Sequence, residues 1–128
     1  MEIICSSKDY HFGEFYVRFD RSFFPNENWM DFYILILAEW IRVIKKVEYK
    51  NLIDFRLDWM EGLDYLLCTK NYDTVSIIGI YDNRATQLFG EIQFSEFKRI
   101  VYDVKEKILR DAKKELIWNE DLEALLAE

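Results

Sequence analysis

A chain of 128 residues with a formal net charge of −7 and a sequence pI of about 4.8 is long enough for one domain with its own core. It is too acidic for a phosphate-backbone binder or for an anionic membrane surface. With 51% hydrophobic and 17% aromatic residues, 4 Gly and 1 Pro, it is neither a disordered chain nor one with long flexible linkers.

The start, Met1-Glu2-Ile3-Ile4-Cys5-Ser6, lacks a basic region followed by an apolar run, so a secretory leader is not expected. The longest apolar stretch, Ile34 to Ala38, is too short to span a bilayer, and the expected location is the cytoplasm. Glu2 to Cys5 predicts a strand, followed by turn residues from Ser6 to Gly13. Glu14 to Asp20 alternates, with Phe15, Val17 and Phe19 on one face and Glu14, Tyr16, Arg18 and Asp20 on the other. Period two is the mark of a half-buried strand. Pro25 and Asn26 break the chain, and Asn28 is placed to cap a helix. From Trp29 to about Glu48 the period becomes helical, with Trp29, Phe32, Tyr33, Ile36, Leu37, Trp40, Ile41, Ile44 and Val47 in one stripe. Asp31 in its first turn and Arg42, Lys45 and Lys46 near its end suit the helix dipole. Ile34, Leu35 and Ala38 widen the apolar surface, so the middle of this helix is expected to be covered on more than one side.

Strict alternation returns at Ile53, Phe55, Leu57 and Trp59 against Asp54, Arg56 and Asp58, a strand with one wet face. Met60-Glu61-Gly62 predicts a turn. A second strand follows from Asp64 to Thr69, and a polar turn from Lys70 to Asp73. Thr74 to Tyr81 is apolar on both faces, as in a central strand. A turn at Asp82 to Arg84 leads to a last strand, Ala85 to Gln93, with Leu88 and Ile92 facing the core. Ser95 is placed to cap a long second helix whose buried stripe is Phe97, Ile100, Val101, Val104, Ile108 and Ala112. Acid-first pairs four apart, Asp103 to Lys107 and Glu106 to Arg110, support its wet face. Asn119 is placed to cap a short terminal helix through Leu126. The expected fold is α+β: one mainly antiparallel sheet of about five to six strands, two long amphipathic helices on one of its faces, and a short C-terminal helix, all in a single domain from residue 1 to 128.

Chemistry assembles poorly from these residues. His11 is the only histidine, no Asp-rich loop carries a central Gly and a distal Glu, and neither Cys5 nor Cys68 sits in a CxxC pair, so no metal or cofactor is expected. The two cysteines read as small buried hydrophobes of a reducing compartment, with a disulfide between them left to geometry. Cys5 with His11 is the one conceivable nucleophile–base pair, and the stronger reading is a core cysteine and a loop histidine. Asp54 and Asp58 share a strand face about 13 Å apart at about 3.3 Å per residue, too far for a glycosidase pair. A cross-strand pair of Asp58 with Asp64 stays open. The charge map says more. Between Asn51 and Asp82, six acids (Asp54, Asp58, Glu61, Asp64, Asp73 and Asp82) face two bases. Trp118 to Glu128 has four acids and no base, while Gln93 to Ile117 has seven bases and five acids. Tyr65, Tyr72 and Tyr81 lie among the strand acids, a make-up shared by protein-binding surfaces and ordinary wet sheet faces.

Phe15-x-Val17-x-Phe19, a break, Trp29-x-x-Phe32 with Trp40 downstream, and then Phe55-x-Leu57-x-Trp59-Met60-Glu61-Gly62-x-x-Tyr65 resemble the small immunity proteins of bacterial polymorphic-toxin and contact-dependent growth inhibition systems. The resemblance covers about the first half of the chain, and Leu63 stands where many such relatives carry Pro. It implies a cytosolic protein, not an enzyme, that binds one cognate toxin domain and blocks it. Many such toxins are basic nucleases, which an acidic protein complements. The residues placed on that contact are Asp54, Asp58, Glu61, Asp64, Asp73 and Asp82, with Tyr65 and Tyr72 as anchors. Two other classes remain: an oligomerising or adaptor domain using the helix around Ile34, Leu35 and Ala38, and a small enzyme using cross-strand carboxylates.

Overall fold

The computed structural model describes residues 1–7 and 9–128. Lys8, within the turn expected between Ser6 and Gly13, lies outside the described residues. The strand patterns at both ends of that turn form β1 (Glu2–Ser7) and β2 (Gly13–Phe19), paired antiparallel with Cys5 opposite Phe15. Two short strands follow that periodicity does not reveal: β3 (Ser22–Phe24) and β4 (Met30–Asp31), each paired with β2. Then come α1 (Tyr33–Lys50), β5 (Asp54–Asp58), β6 (Asp64–Asn71), β7 (Thr74–Tyr81), β8 (Arg84–Gln93), α2 (Phe94–Lys114) and α3 (Glu120–Leu126).

The α+β class holds, but the single sheet is corrected to two antiparallel sheets of four strands each. One is β1-β2-β3 with β4 also on β2, and the other is the meander β5-β6-β7-β8. Two reversals are why. The turn at Asp20 and Arg21 folds β3 back onto β2, and after Pro25 the chain returns to β2 again as β4 rather than entering a helix, so β2 gains partners that complete a sheet of its own. The sheets meet where β2 and β3 approach β8. There the rings of Phe24 and Phe19 lie so close to the backbone that a Cβ built on Gly79 falls 2.5 Å from Phe24 Cδ2, and one on Gly90 falls 2.6 Å from Phe19. Glycine in a strand interior marks this kind of close approach. Gly79→Ala is therefore expected to overpack the junction and cost about 1–3 kcal/mol, read as a lower urea midpoint at unchanged m-value.

Helix α1 packs against β2 and β5 and against α2 and α3, while α2 packs against β1 and β8. The core lies between, with Phe15, Val17, Leu37, Trp40, Ile41, Ile44, Leu57, Leu66, Ile77 and Phe97 fully buried. At its centre Trp59 meets Trp40 at 5.1 Å, Phe24 at 5.2 Å and Phe15 at 6.0 Å between ring centroids, the first two edge-on. Such arrangements suit the ring quadrupoles. Of the three residues expected to widen the covered surface, Ile34 and Ala38 are fully buried, while Leu35 is only partly covered.

Several local expectations are corrected. Helix α1 starts at Tyr33 rather than Trp29, because the backbone at Met30 and Asp31 is committed to β2, opposite Glu14 and Gly13. Asn28 sits at φ +63° and caps nothing, and the residue before the helix, Phe32, offers no side-chain cap. Tyr16, expected on a wet face, is buried against Phe23 at 5.9 Å, since β3 covers that side of β2. Ile53 precedes β5 and is exposed. Ser95 lies inside α2, where its hydroxyl donates to Asp73 Oδ2 at 3.1 Å. Among the described residues, the ion pairs within α2 are Arg99 with Glu96 and with Asp103, rather than Asp103 with Lys107 and Glu106 with Arg110. Asn119 does cap α3, its side chain accepting the Leu122 N–H at 2.9 Å.

Candidate functional site

Four connections converge at one end of the fold. The β5–β6 turn is held by Trp59 N–H to the Asp64 carbonyl (3.1 Å) and by Gly62 N–H to the Trp59 carbonyl (3.0 Å), with Gly62 at φ +72°. The buried Trp59 indole donates to the Phe15 carbonyl at 2.8 Å, which fixes the start of the turn to β2. Its remaining apolar side chains, Met60 and Leu63, are left half-exposed. The β7–β8 connection is a two-residue turn, Asp82-Asn83, with both residues at positive φ between the paired Tyr81 and Arg84. That is the geometry Asp and Asn tolerate best after Gly. In the β1–β2 loop, Asp9 Oδ1 accepts the N–H groups of His11 and Phe12, each at 2.8 Å. This loop carries Phe12 edge-on to Phe32 at 5.3 Å. The fourth connection is the passage from β4 into α1.

These connections surround a groove of about 530 Å³. Its apolar surface comes from the exposed parts of Phe12, Met30, Phe32, Met60, Leu63 and Tyr81. Its charges are Asp31, Glu61, Asp64 and Asp82. Asp31 is 8% exposed, and its carboxylate accepts the Phe32 N–H at 2.8 Å, the Trp29 indole N–H at 3.2 Å and the Met60 N–H at 3.4 Å. All three donors are neutral. Asp64 Oδ1 accepts the Asp82 N–H at 3.3 Å. Among the described residues none of these four carboxylates joins an ion pair. Partial burial pushes the Asp64 carboxyl above the ordinary aspartate range, and the charges of Asp82, Glu61 and Asp31 push it further, against the Asp82 N–H. A carboxyl raised in the folded state stabilises the fold at low pH and loses that contribution as pH rises through its folded value. Asp64→Asn, which can keep the bond from Asp82 N–H, is therefore expected to stabilise the protein at neutral pH by no more than about 0.5 kcal/mol. Melts from neutral pH down to below the ordinary carboxylate range would show that gain fading.

The eight residues expected on a contact surface divide. Glu61, Asp64 and Asp82 line the groove. Asp58 and Tyr65 stand opposite one another on the outer face of the second sheet, and Arg56 serves both. Its Nε meets Asp58 at 2.7 Å and its guanidinium lies 3.7 Å over the Tyr65 ring. Asp54, at the far end of β5, accepts from Thr69 Oγ1 at 3.2 Å. Tyr72 and Asp73 occupy the β6–β7 turn, roughly 23 Å from Asp64 along β6 at about 3.3 Å per residue. Tyr72 is 93% exposed there, while Asp73 anchors the start of α2 through its side chain and its carbonyl. The groove residues not anticipated include Phe12, Met30, Asp31, Phe32, Met60 and Leu63. The available signal was Met60 and Leu63, large apolar residues flanking a Glu-Gly turn that must face water.

The nucleophile–base pair does not assemble. His11 Nδ1 is engaged by Asp121 Oδ2 at 3.0 Å, and burial pushes the Cys5 thiol up to about 12, so it stays protonated. Cys68 is shifted upward for the same reason, and both thiols are free. Register pairs Asp58 with Tyr65 and Asp64 with Tyr81 rather than with each other. Among the described residues no three His, Cys, Asp or Glu side chains gather as a metal site requires, and no helix is long and apolar enough to cross a membrane. The chain matches no described protein family, no curated protein and no solved structure.

Proposed function

We propose that this chain is a cytosolic immunity protein that binds and neutralises a basic toxin domain, with the groove as its docking surface. The observation that carries this is the combination in one groove of exposed aromatic and thioether surface with four carboxylates that join no ion pair among the described residues. Apolar surface in water favours being covered. A lysine or arginine from a partner would lay its aliphatic stem on Phe12, Phe32 and Met60 and bring its charge to Asp64, Glu61 and Asp82. Aromatic anchors inside a charged rim are the usual anatomy of a strong contact. The negative field of the chain would speed encounter with a basic nuclease and cover the surface that nuclease offers to phosphate. Neither nucleic acid nor lipid is a partner in this account, because the exposed charge has the wrong sign for both.

The test is co-expression. The C-terminal domain encoded immediately upstream of this chain is produced in a test host with and without it. Toxicity relieved only by this chain, with a co-purifying complex, is the expected result. A harmless neighbour with no complex would overturn the assignment. The raised Asp64 carboxyl favours one second reading, a carboxylate-based enzyme. That reading requires turnover of a substrate that Asp64→Asn abolishes, whereas docking requires stoichiometric binding alone.

A further inference from the structure

Helix α2 ends in a hydrogen-bond pattern that calls for glycine. Ile117 N–H returns to the Ala112 carbonyl at 2.9 Å and Leu116 N–H to the Lys113 carbonyl at 3.2 Å, the paired bonds of a Schellman ending. The residue at its turning point takes the left-handed conformation, φ +59°, and that residue is Leu116. A side chain there strains the backbone, and this one is 93% exposed, so it gains no burial in return. Ile117 and Trp118 beside it are 40% and 53% exposed. The tip breaks two local rules at once, a combination that marks functional positions. Its charge is mixed: the exposed Arg110, Lys113 and Lys114 lie on the turns leading into it among Asp111 and Glu115, and Glu120 and Asp121 follow it, but Glu115 is engaged by Tyr10 and Asp121 by His11.

The complement to an apolar tip with two exposed lysines before it is present on the same molecule. The groove offers apolar surface and four carboxylates that join no ion pair among the described residues, and the two features flank a single loop. Tyr10 Oη donates to Glu115 at 3.0 Å, Asn119 Nδ2 donates to the Tyr10 carbonyl at 3.1 Å, and His11 meets Asp121 at 3.0 Å. The next residue, Phe12, is a wall of the groove. A surface that places a tip beside its own complement is self-complementary, and a two-fold axis then closes both contacts together.

We propose that two copies of this chain form a dimer in which the Leu116–Trp118 tip of each seats in the groove of the other, Lys113 and Lys114 facing Glu61, Asp64 and Asp82. The toxin domain then competes with the second copy for the groove, a consequence that rests on the function proposed above, although the dimer itself does not. Sedimentation velocity on the full chain should show a monomer–dimer equilibrium. Trp118→Ser and Asp64→Lys should each raise its dissociation constant at least about tenfold. Leu116→Gly should weaken association while raising the melting midpoint by roughly 2–5 °C, which separates lost contact from lost fold. A mixture of Asp64→Lys and Lys114→Glu chains should recover the dimer that each loses alone, because both contacts of the mixed pair are again matched in charge. A wild-type chain monomeric at its highest soluble concentration, or a mixture that does not recover association, overturns the proposal. Trp118→Ser should still neutralise the toxin domain. A dimer that forms as described by a chain that neutralises nothing would uphold this inference and refute the function.

Discussion

Trp59→Ala is expected to lower the stability of the fold by about 3–5 kcal/mol, the range for deleting a buried tryptophan, and to leave a large fraction of the chain unfolded at 37 °C. The ring is 2% exposed and touches Trp40, Phe24 and Phe15, so its removal opens a cavity bounded by α1, β2 and β3 together. Its indole N–H also satisfies the buried Phe15 carbonyl, and an orphaned acceptor adds about 1–3 kcal/mol. Set against a total of about 5–15 kcal/mol for a domain, that loss is most of the margin. Trp59→Phe keeps a ring and loses only the hydrogen bond and part of the packing, so it should fall well short of the alanine variant. Urea unfolding followed by circular dichroism measures both. An alanine variant within about 1 kcal/mol of wild type would show that Trp59 does not organise this core.

Glu61→Lys with Asp64→Lys is expected to weaken association with the basic partner by about 10- to 100-fold at low salt, mostly through slower association. Among the described residues these carboxylates have no ion-pair partner and stand beside Asp31 and Asp82, so reversal removes attraction for a cation and adds repulsion at the same place. Wild-type affinity should fall as salt rises, since the Debye length shrinks to about 8 Å at physiological ionic strength, and the variant should lose most of that dependence. The fold should tolerate the change, because the reversal relieves the carboxylate repulsion that adds to burial in raising the Asp64 carboxyl. Stopped-flow association at several salt concentrations is the measurement.

What was legible in the sequence was what period alone encodes. Phe15-x-Val17-x-Phe19 and Phe55-x-Leu57-x-Trp59 announce strands, and Ile36 to Val47 announces a helix, because each pattern spans enough residues to define its face. The errors cluster at Trp29 to Phe32. There the apolar spacing fits a helix, but the backbone hydrogen bonds are taken by β2, a long-range partner that local pattern does not record. By local pattern Asp31 therefore reads as a first-turn helix acid, whereas it is a buried groove carboxylate. The missed β3 has three residues, too few for alternation to register, and with it went the division into two sheets. The site was partly legible for the same reason. Glu61, Asp64 and Asp82 stand at hairpin ends that turn chemistry marks, while Phe12, Phe32 and Met60 join them only through folding. Tyr72 and Asp73 belong to the hairpin turn at the opposite end of the strands, a separation that charge counted along the chain conceals.

The most direct test of the groove as a docking surface sets two charge reversals of equal size against each other in the toxin co-expression assay and in titration of the purified toxin domain. Glu61→Lys with Asp64→Lys alters the groove. Asp54→Lys with Glu91→Lys makes the same change in net charge at exposed positions outside it. Protection and affinity lost with the first pair and retained with the second are the predicted result. Equal loss from both would show that overall charge alone attracts the partner, and loss from the second pair only would place the contact elsewhere; either contradicts the groove.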